Sequence, residues 1–252
     1  MHPDELVATL RAAGCVFAED EAALLLDAFP DDAGLARMVA DRVAGRPLEQ
    51  ILGYVEFCGL RIVVTPGVFV PRQRTTALVS RAAHDLQRGD VVVDLCCGAG
   101  AVGAALATAV PGLEVYAADV DPAAVACARR NLPPDRVFQG DLYDALPDAL
   151  RGRVAAVVAN APYVPTGAIA TMPPEARDHE HPVALDGGTD GLDVHRRVAA
   201  GAPDWLAPGG RLLVETSRGQ AGGTADAIRS AGLRTDVWTD DEVDGTVVTG
   251  VR

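Results

Sequence analysis

Apolar residues recur along this chain with two different periods. From Val91 onward, short apolar runs alternate with segments whose apolar residues return every three to four positions. Residues 91–95, 114–119, 137–139, 154–159 and 211–215 read as strands. Residues 101–109, 122–131, 194–202 and 217–231 read as helices, the second opening on Pro122, a residue suited to a first helical turn. Residues 234–239 and 246–251 read as a closing antiparallel pair. Alternation of this kind predicts a mostly parallel sheet with helices on both faces.

The first ninety residues follow another pattern. Leu6, Val7 and Leu10 share a helical face behind Asp4, a candidate N-cap. Leu24, Leu25, Leu26 and Phe29 form a second apolar stripe and Leu35, Met38 and Val39 a third, with Gly45 as a stop. Residues 54–64 read as a β-hairpin reversing near Cys58-Gly59, and Pro66-Gly67 and Pro71 punctuate its exit. A helix is expected from about 75 to 86. The predicted organisation is a helical region over 1–52, a hairpin linker over 53–74 and an α/β domain over 75–252.

Composition narrows the function classes. Hydrophobic residues make up 49% of the 252, enough for a sizeable core. The net charge of -13 offers little to neutralise phosphates, so nucleic acid is not an expected partner. No stretch is long and apolar enough to span a bilayer, and the opening residues show no secretory pattern, so a cytoplasmic protein with no membrane partner is expected. The five cysteines are odd in number and scattered, which suits reduced thiols. His179, His181 and His195 fit no standard zinc spacing and read as surface or loop residues, so no metal is expected. Residues 178–181 are a candidate lid over the acceptor, and Trp205 and Trp238 read as packing residues.

The strand ends carry the chemistry, because an open parallel sheet binds ligands beyond the carboxyl ends of its strands. The first strand runs into Asp94-Leu95-Cys96-Cys97-Gly98-Ala99-Gly100, whose glycines allow a tight turn and close approach to a ligand. Gly103 completes a G-x-G-x-x-G string, so a nicotinamide oxidoreductase competes here. A carboxylate at the strand end repels phosphate, however, and suits the ammonium of a bound amino acid. Asp119, followed by Val120, can accept both ribose hydroxyls; Asp141 can accept from an adenine amine, with Leu142 packed on the ring. Ammonium, ribose and adenine together describe S-adenosylmethionine.

At the fourth strand end stands Asn160-Ala161-Pro162-Tyr163. Pro162 stiffens the turn and removes a donor. The Asn160 side-chain oxygen and the Ala161 carbonyl can accept both N–H bonds of a planar NH2 group, with Tyr163 stacked on its plane. An amide nitrogen needs such acceptors because its lone pair is delocalised. Nucleobases and small molecules also present planar NH2 groups, so the motif leaves the acceptor open.

These residues resemble the HemK/PrmC-type protein-(glutamine-N5) methyltransferases. The likeness extends to Gly53-Tyr54-Val55-Glu56-Phe57, Leu60-Arg61, Val68-Phe69-Val70-Pro71-Arg72, and the stretch from Glu180 through Ala184-Leu185-Asp186-Gly187-Gly188 to Asp193. It covers roughly residues 46–252. The resemblance implies a class I SAM-dependent methyltransferase: Rossmann-like, with a mostly parallel seven-stranded sheet whose last strand is antiparallel. It implies transfer to a glutamine amide in a protein, typically the Gly-Gly-Gln loop of a peptide-chain release factor. Asn160 and Ala161 would bind that amide and Tyr163 would pack on it. The chain departs from the family in having Ala161 where Pro is usual, Cys96 where Gly is usual, and Gln73-Arg74-Thr75-Thr76 where acids are usual, so it reads as a divergent branch.

Overall fold

The computed structural model describes residues 2–28 and 31–252; Phe29, one member of the second predicted stripe, lies outside them. Four helices open the chain: α1 (Pro3–Ala12), α2 (Ala18–Ala28), α3 (Asp32–Val43) and α4 (Leu48–Leu52). They bury Leu6, Leu10, Leu25, Leu35, Val39 and Ile51 in a core of their own. Asp4 is not the cap of α1. His2 is the cap, its ring Nδ1 accepting the Asp4 N–H, while Asp4 sits in the first turn against the helix dipole. Gly45 follows α3 with φ 93°, as the stop requires.

Two strands, β1 (Tyr54–Phe57) and β2 (Leu60–Val63), form the hairpin. Cys58 and Gly59 reverse it with φ of 49° and 73°. Val55, Phe57, Ile62, Val64, Val68 and Val70 are buried in the same core as the main sheet, so the hairpin is seated on the α/β unit.

The remaining elements alternate: α5 (Thr76–Ala83), β3 (Val91–Leu95), α6 (Ala101–Ala109), β4 (Glu114–Asp119), α7 (Pro122–Ala128), β5 (Val137–Gln139) and β6 (Val154–Ala159). Then come α8 (Pro174–His179), α9 (Asp193–Trp205), β7 (Leu206–Glu215), α10 (Ala221–Ser230), β8 (Arg234–Asp240) and β9 (Gly245–Val251). The seven-stranded sheet has the order β5-β4-β3-β6-β7-β9-β8, with β9 antiparallel to both neighbours. Every residue of β3 is buried, as expected of a central strand covered on both faces. Two apolar cores lie on opposite sides of the sheet, one containing Leu78, Val92 and Leu106, the other Val93, Val157 and Trp205.

Several predicted boundaries move. The helix expected over 75–86 ends at Ala83, that over 122–131 ends at Ala128, and α10 is preceded by a 3-10 turn at Arg218–Gln220. In each case the last or first turn tightens, the usual behaviour of frayed helix ends. His195 is the larger correction: it is fully buried within α9, against Thr224 of α10, and is no surface or loop residue.

Register decides where the chemistry gathers. Leu95 pairs with Ala118 and Ala159, and Ala159 with Val214, so the tips of β3, β4, β6 and β7 end level with one another. The chain leaves β3 toward β4 on one side and adds β6 on the other, which opens a crevice at that switch point.

Candidate active site

A cavity of about 790 Å³ fills this crevice. One end is lined by Asp94, Cys96, Cys97, Gly98, Ala99, Asp119, Val120, Asp141 and Leu142; the other by Phe69, Arg72, Arg74, Thr75 and Asn160 through Tyr163. Of the residues predicted for the site, Gly100 alone lies outside this lining: with φ 77° it turns the chain into α6, and a Cβ there would press on Leu132 and Ala128.

At the first end, the Gly103 N–H donates to Asp94 Oδ2 at 2.9 Å, tying the strand tip to the start of α6. Asp94 is 2% exposed, and burial pushes its carboxyl up to about 7 against the pull of the Gly103 N–H. The Gly98 and Asp121 N–H groups donate to the two oxygens of Asp119, whose proton affinity is also raised by burial. Both acids are therefore oriented by backbone, and a cation in the cavity would relieve them. Cys96 adopts φ 55°, a conformation that costs a non-glycine residue about 1–2 kcal/mol. Burial raises the Cys96 and Cys97 thiols, so both stay neutral. A Cβ on Gly98 would meet nothing within 4 Å, leaving that face of the loop open.

Two residues at this end carried no sequence signal. Asn131 donates to the Ala99 and Val63 carbonyls and accepts the Val63 N–H, pinning the loop to the hairpin. Arg197 of α9 pairs with Asp141 at 2.6 Å.

At the second end, Asn160 Nδ2 donates to Thr75 Oγ1 at 3.3 Å. Among the described residues no donor reaches Asn160 Oδ1, and the Ala161 carbonyl accepts no backbone N–H. Gln220 donates to the Tyr163 carbonyl at 2.8 Å, and Val164 exchanges backbone bonds with Leu185 and Gly187, so the turn is braced from below and beside. The Tyr163 ring lies 6.2 Å from His195, tilted by 54°. Burial holds the His195 imidazole down near 4, opposed by the Ala161 backbone, so the ring beneath the turn is neutral.

A strap joins the two ends. Glu180 is buried, and its Oε1 accepts from the Val70 N–H at 3.0 Å and from Arg72 at 2.6 Å. His181 donates its N–H to the Gly67 carbonyl, and its ring Nδ1 meets Asp121 Oδ2 at 2.5 Å. The lid expected over 178–181 is shifted: Asp178 is exposed and paired with Arg177, while residues 182–188 form the cavity wall. The proline-led helix α8 and the proline-led turn at Pro182 make 178–181 an anchor instead.

The donor set suits S-adenosylmethionine: a buried acid, Asp94, for a cation, a half-buried one, Asp119, for hydroxyls, an open glycine face, and Leu142 for a flat ring. A family model described as "Methyltransferase small domain" matches residues 59–173. A release factor glutamine methyltransferase from Geobacter sulfurreducens is 40% identical, over 76% of this chain and 68% of its own length. A 4-amino-L-phenylalanine/4-methylamino-L-phenylalanine methyltransferase from Streptomyces pristinaespiralis is 38% identical, over 77% of this chain and 69% of its own length. The crystal structure of a methyltransferase from Pyrococcus furiosus has the same fold, with a TM-score of 0.58 at 16% identity, covering 86% of this chain and 98% of that one.

Proposed function

Because the chain belongs to the release factor glutamine methyltransferase family, we propose that it methylates the side-chain N5 nitrogen of a glutamine held at Asn160-Ala161-Pro162-Tyr163. The cofactor is S-adenosylmethionine, and the reading assigns its binding to Asp94, Cys96 through Gly100, Asp119, Val120, Asp141, Leu142 and the Asn160 edge. When bound, it supplies an electrophilic methyl group on a sulfonium.

The observation that carries the reading is the asymmetry of Asn160. Its nitrogen is engaged by Thr75 while its oxygen is free of protein donors among the described residues, beside the Ala161 carbonyl, which takes no backbone N–H and has the His195 ring beneath it. Two acceptors set side by side would take both protons of a planar NH2 group and point its remaining lobe one way. Accepting those protons concentrates electron density on nitrogen and stabilises the positive charge that grows there. Holding the acceptor in line replaces a search by a fixed approach, with reacting atoms ~3–3.5 Å apart. The half-buried Tyr163 would cover the plane and exclude water. No strong base is needed, since the nitrogen becomes acidic once alkylated.

A peptide-chain release factor is the proposed protein substrate, by analogy with the relatives' names. The relative that methylates 4-amino-L-phenylalanine favours a second reading, an aromatic amine, which also presents a flat NH2 group. We place the protein in the cytoplasm, where its five unpaired cysteines would stay reduced. Labelled methyl transfer to purified release factors and to 4-amino-L-phenylalanine, with mass spectrometry of the product, decides between the two. Label on a release-factor glutamine is the expected result; label on the amino acid alone selects the second reading.

A further inference from the structure

Glu215 ends β7 at the level of the acceptor clamp. Register places it opposite Asn160, since Ala159 pairs with Val214 one step earlier, and neighbouring strands lie about 4.8 Å apart. It is 1% exposed, and both carboxylate oxygens lack a hydrogen-bond partner among the described residues. An acid buried in this way is costly, and an apolar residue would suit the sheet better on stability grounds alone. Thr75 stands beside it, close enough to lower its proton affinity though short of a complete hydrogen bond. The same Thr75 hydroxyl oxygen accepts the Asn160 Nδ2–H, so its own hydrogen must point elsewhere, and Glu215 is there to receive it.

We propose that Glu215 is a positioning residue for methyl transfer, acting through Thr75: the carboxylate takes the Thr75 hydroxyl hydrogen, Thr75 takes the Asn160 Nδ2–H, and the Asn160 oxygen is thereby locked toward the acceptor. This chain also strengthens the clamp, because hydrogen bonds in series polarise one another and an anion at one end makes the amide oxygen at the other a better acceptor. The inference rests on the reading of Asn160 as the acceptor clamp. The groups facing Glu215 are Arg74 and Thr75 from the turn before α5 and Tyr163 from the loop after β6, while β9 offers only uncharged Thr246 to Val248. Burial pushes the Glu215 carboxyl up to about 7, with Thr75 and then Arg74 opposing. Ionisation therefore falls in the neutral range, and the clamp should strengthen as pH rises through it.

The test uses the full chain with S-adenosylmethionine and a purified release factor as probe. Glu215→Gln and Thr75→Val should each lower kcat about tenfold, below the 10²–10³-fold typical of losing a direct contact to the developing charge. KM and cofactor affinity should move little, and Thr75→Ser, which keeps the hydroxyl, should recover most of the loss in Thr75→Val. The wild-type kcat should rise through about pH 7, and Glu215→Gln should flatten that rise. A second measurement needs no acceptor. The Asn160 side-chain NH2 signal in a 15N spectrum, assigned by its loss in Asn160→Asp, should titrate near pH 7 in wild type and stay constant in Glu215→Gln. An identical titration in both proteins, or a Glu215→Gln enzyme with wild-type kcat and pH profile, overturns the relay. Should the release factor go unmethylated while the Asn160 signal titrates as expected, the relay stands and the substrate reading falls.

Discussion

At the cofactor end of the cavity the acids at the tips of β3 and β4 are held by backbone close in sequence: Asp94 is met by Gly103 nine residues on, and Asp119 by Gly98 at a distance of 21. At the acceptor end they are long. Asn160 leans on Thr75 across 85 residues, Arg72 on Glu180 across 108, and Tyr163 on Gln220 across 57. The first end has its β3 and β4 acids oriented by backbone N–H groups of nearby loops, with longer ties added by Asn131 to the hairpin and by Arg197 to Asp141. The second is assembled by side chains from segments that meet only in the finished fold. The acids at the tips of β3 and β4 are aimed by nearby backbone, whereas the acceptor clamp is aimed by side chains that several distant segments must bring together.

Substitutions at the two ends should therefore separate binding from turnover. The largest effect is expected for Asn160→Ala, which removes the clamp oxygen: kcat should fall on the order of 10²–10³-fold. S-adenosylmethionine affinity, measured by calorimetry, should change far less; an enzyme that kept its kcat would remove Asn160 from the acceptor site. Next comes Asp119→Ala at the cofactor end. Loss of hydrogen bonds to a charged group costs about 1.5–3 kcal/mol, so the dissociation constant for S-adenosylmethionine should rise by about 10- to 100-fold. Unchanged affinity would show that Asp119 serves only the loop.

Arg72→Ala should act on the join between the ends. It leaves Glu180 buried with the Val70 N–H as its remaining partner among the described residues, where Glu180 Oε2 already lacks one. Arg72 is a third exposed, which screens the pair, so a loss of about 1–3 kcal/mol is expected, read as a lower Tm and faster amide exchange at 180–188.

The smallest effect is a slope of stability with pH. Burial raises Asp94 and Glu215 to about 7, from ordinary values of 3.8 and 4.5. Between those values the unfolded chain has released protons that the folded chain keeps, so their contribution to stability falls as pH rises toward 7. His195, held near 4 instead of 6.5, works the other way, losing stability as pH falls through that window. Two carboxyls outweigh one imidazole, and between 6.5 and 7 only the carboxyls act. Calorimetric Tm should decline toward neutral pH, and Glu215→Gln should flatten the decline. A Tm that climbs across the same interval would contradict the burial of these acids.

The order of strands and helices, the acids at successive strand tips and the Asn160-Ala161-Pro162-Tyr163 turn were all legible in the chain. Each depends on local periodicity or on the neighbours of one residue. Hydrophobic alternation fixes which face of a strand is buried, and glycine at 98 and 100 permits φ values of 54° and 77° whatever surrounds them. The helix ends and the His2 cap were not legible, since the last turn is decided by competition among nearby donors. Nor were Thr75, His195, Arg197 and Glu215 legible as parts of the site, nor the Arg72 pairing of Glu180 within the segment read as a lid. No spacing marks a lone threonine, glutamate, histidine or arginine for a role. Parallel register sets Glu215 level with Asn160, and packing of the hairpin exit against the strap leaves Glu180 facing Arg72. Sequence by itself determined the sheet and the turn that begins at Asn160; the direction in which that amide faces was decided only when Thr75, 85 residues away, came within reach of its nitrogen.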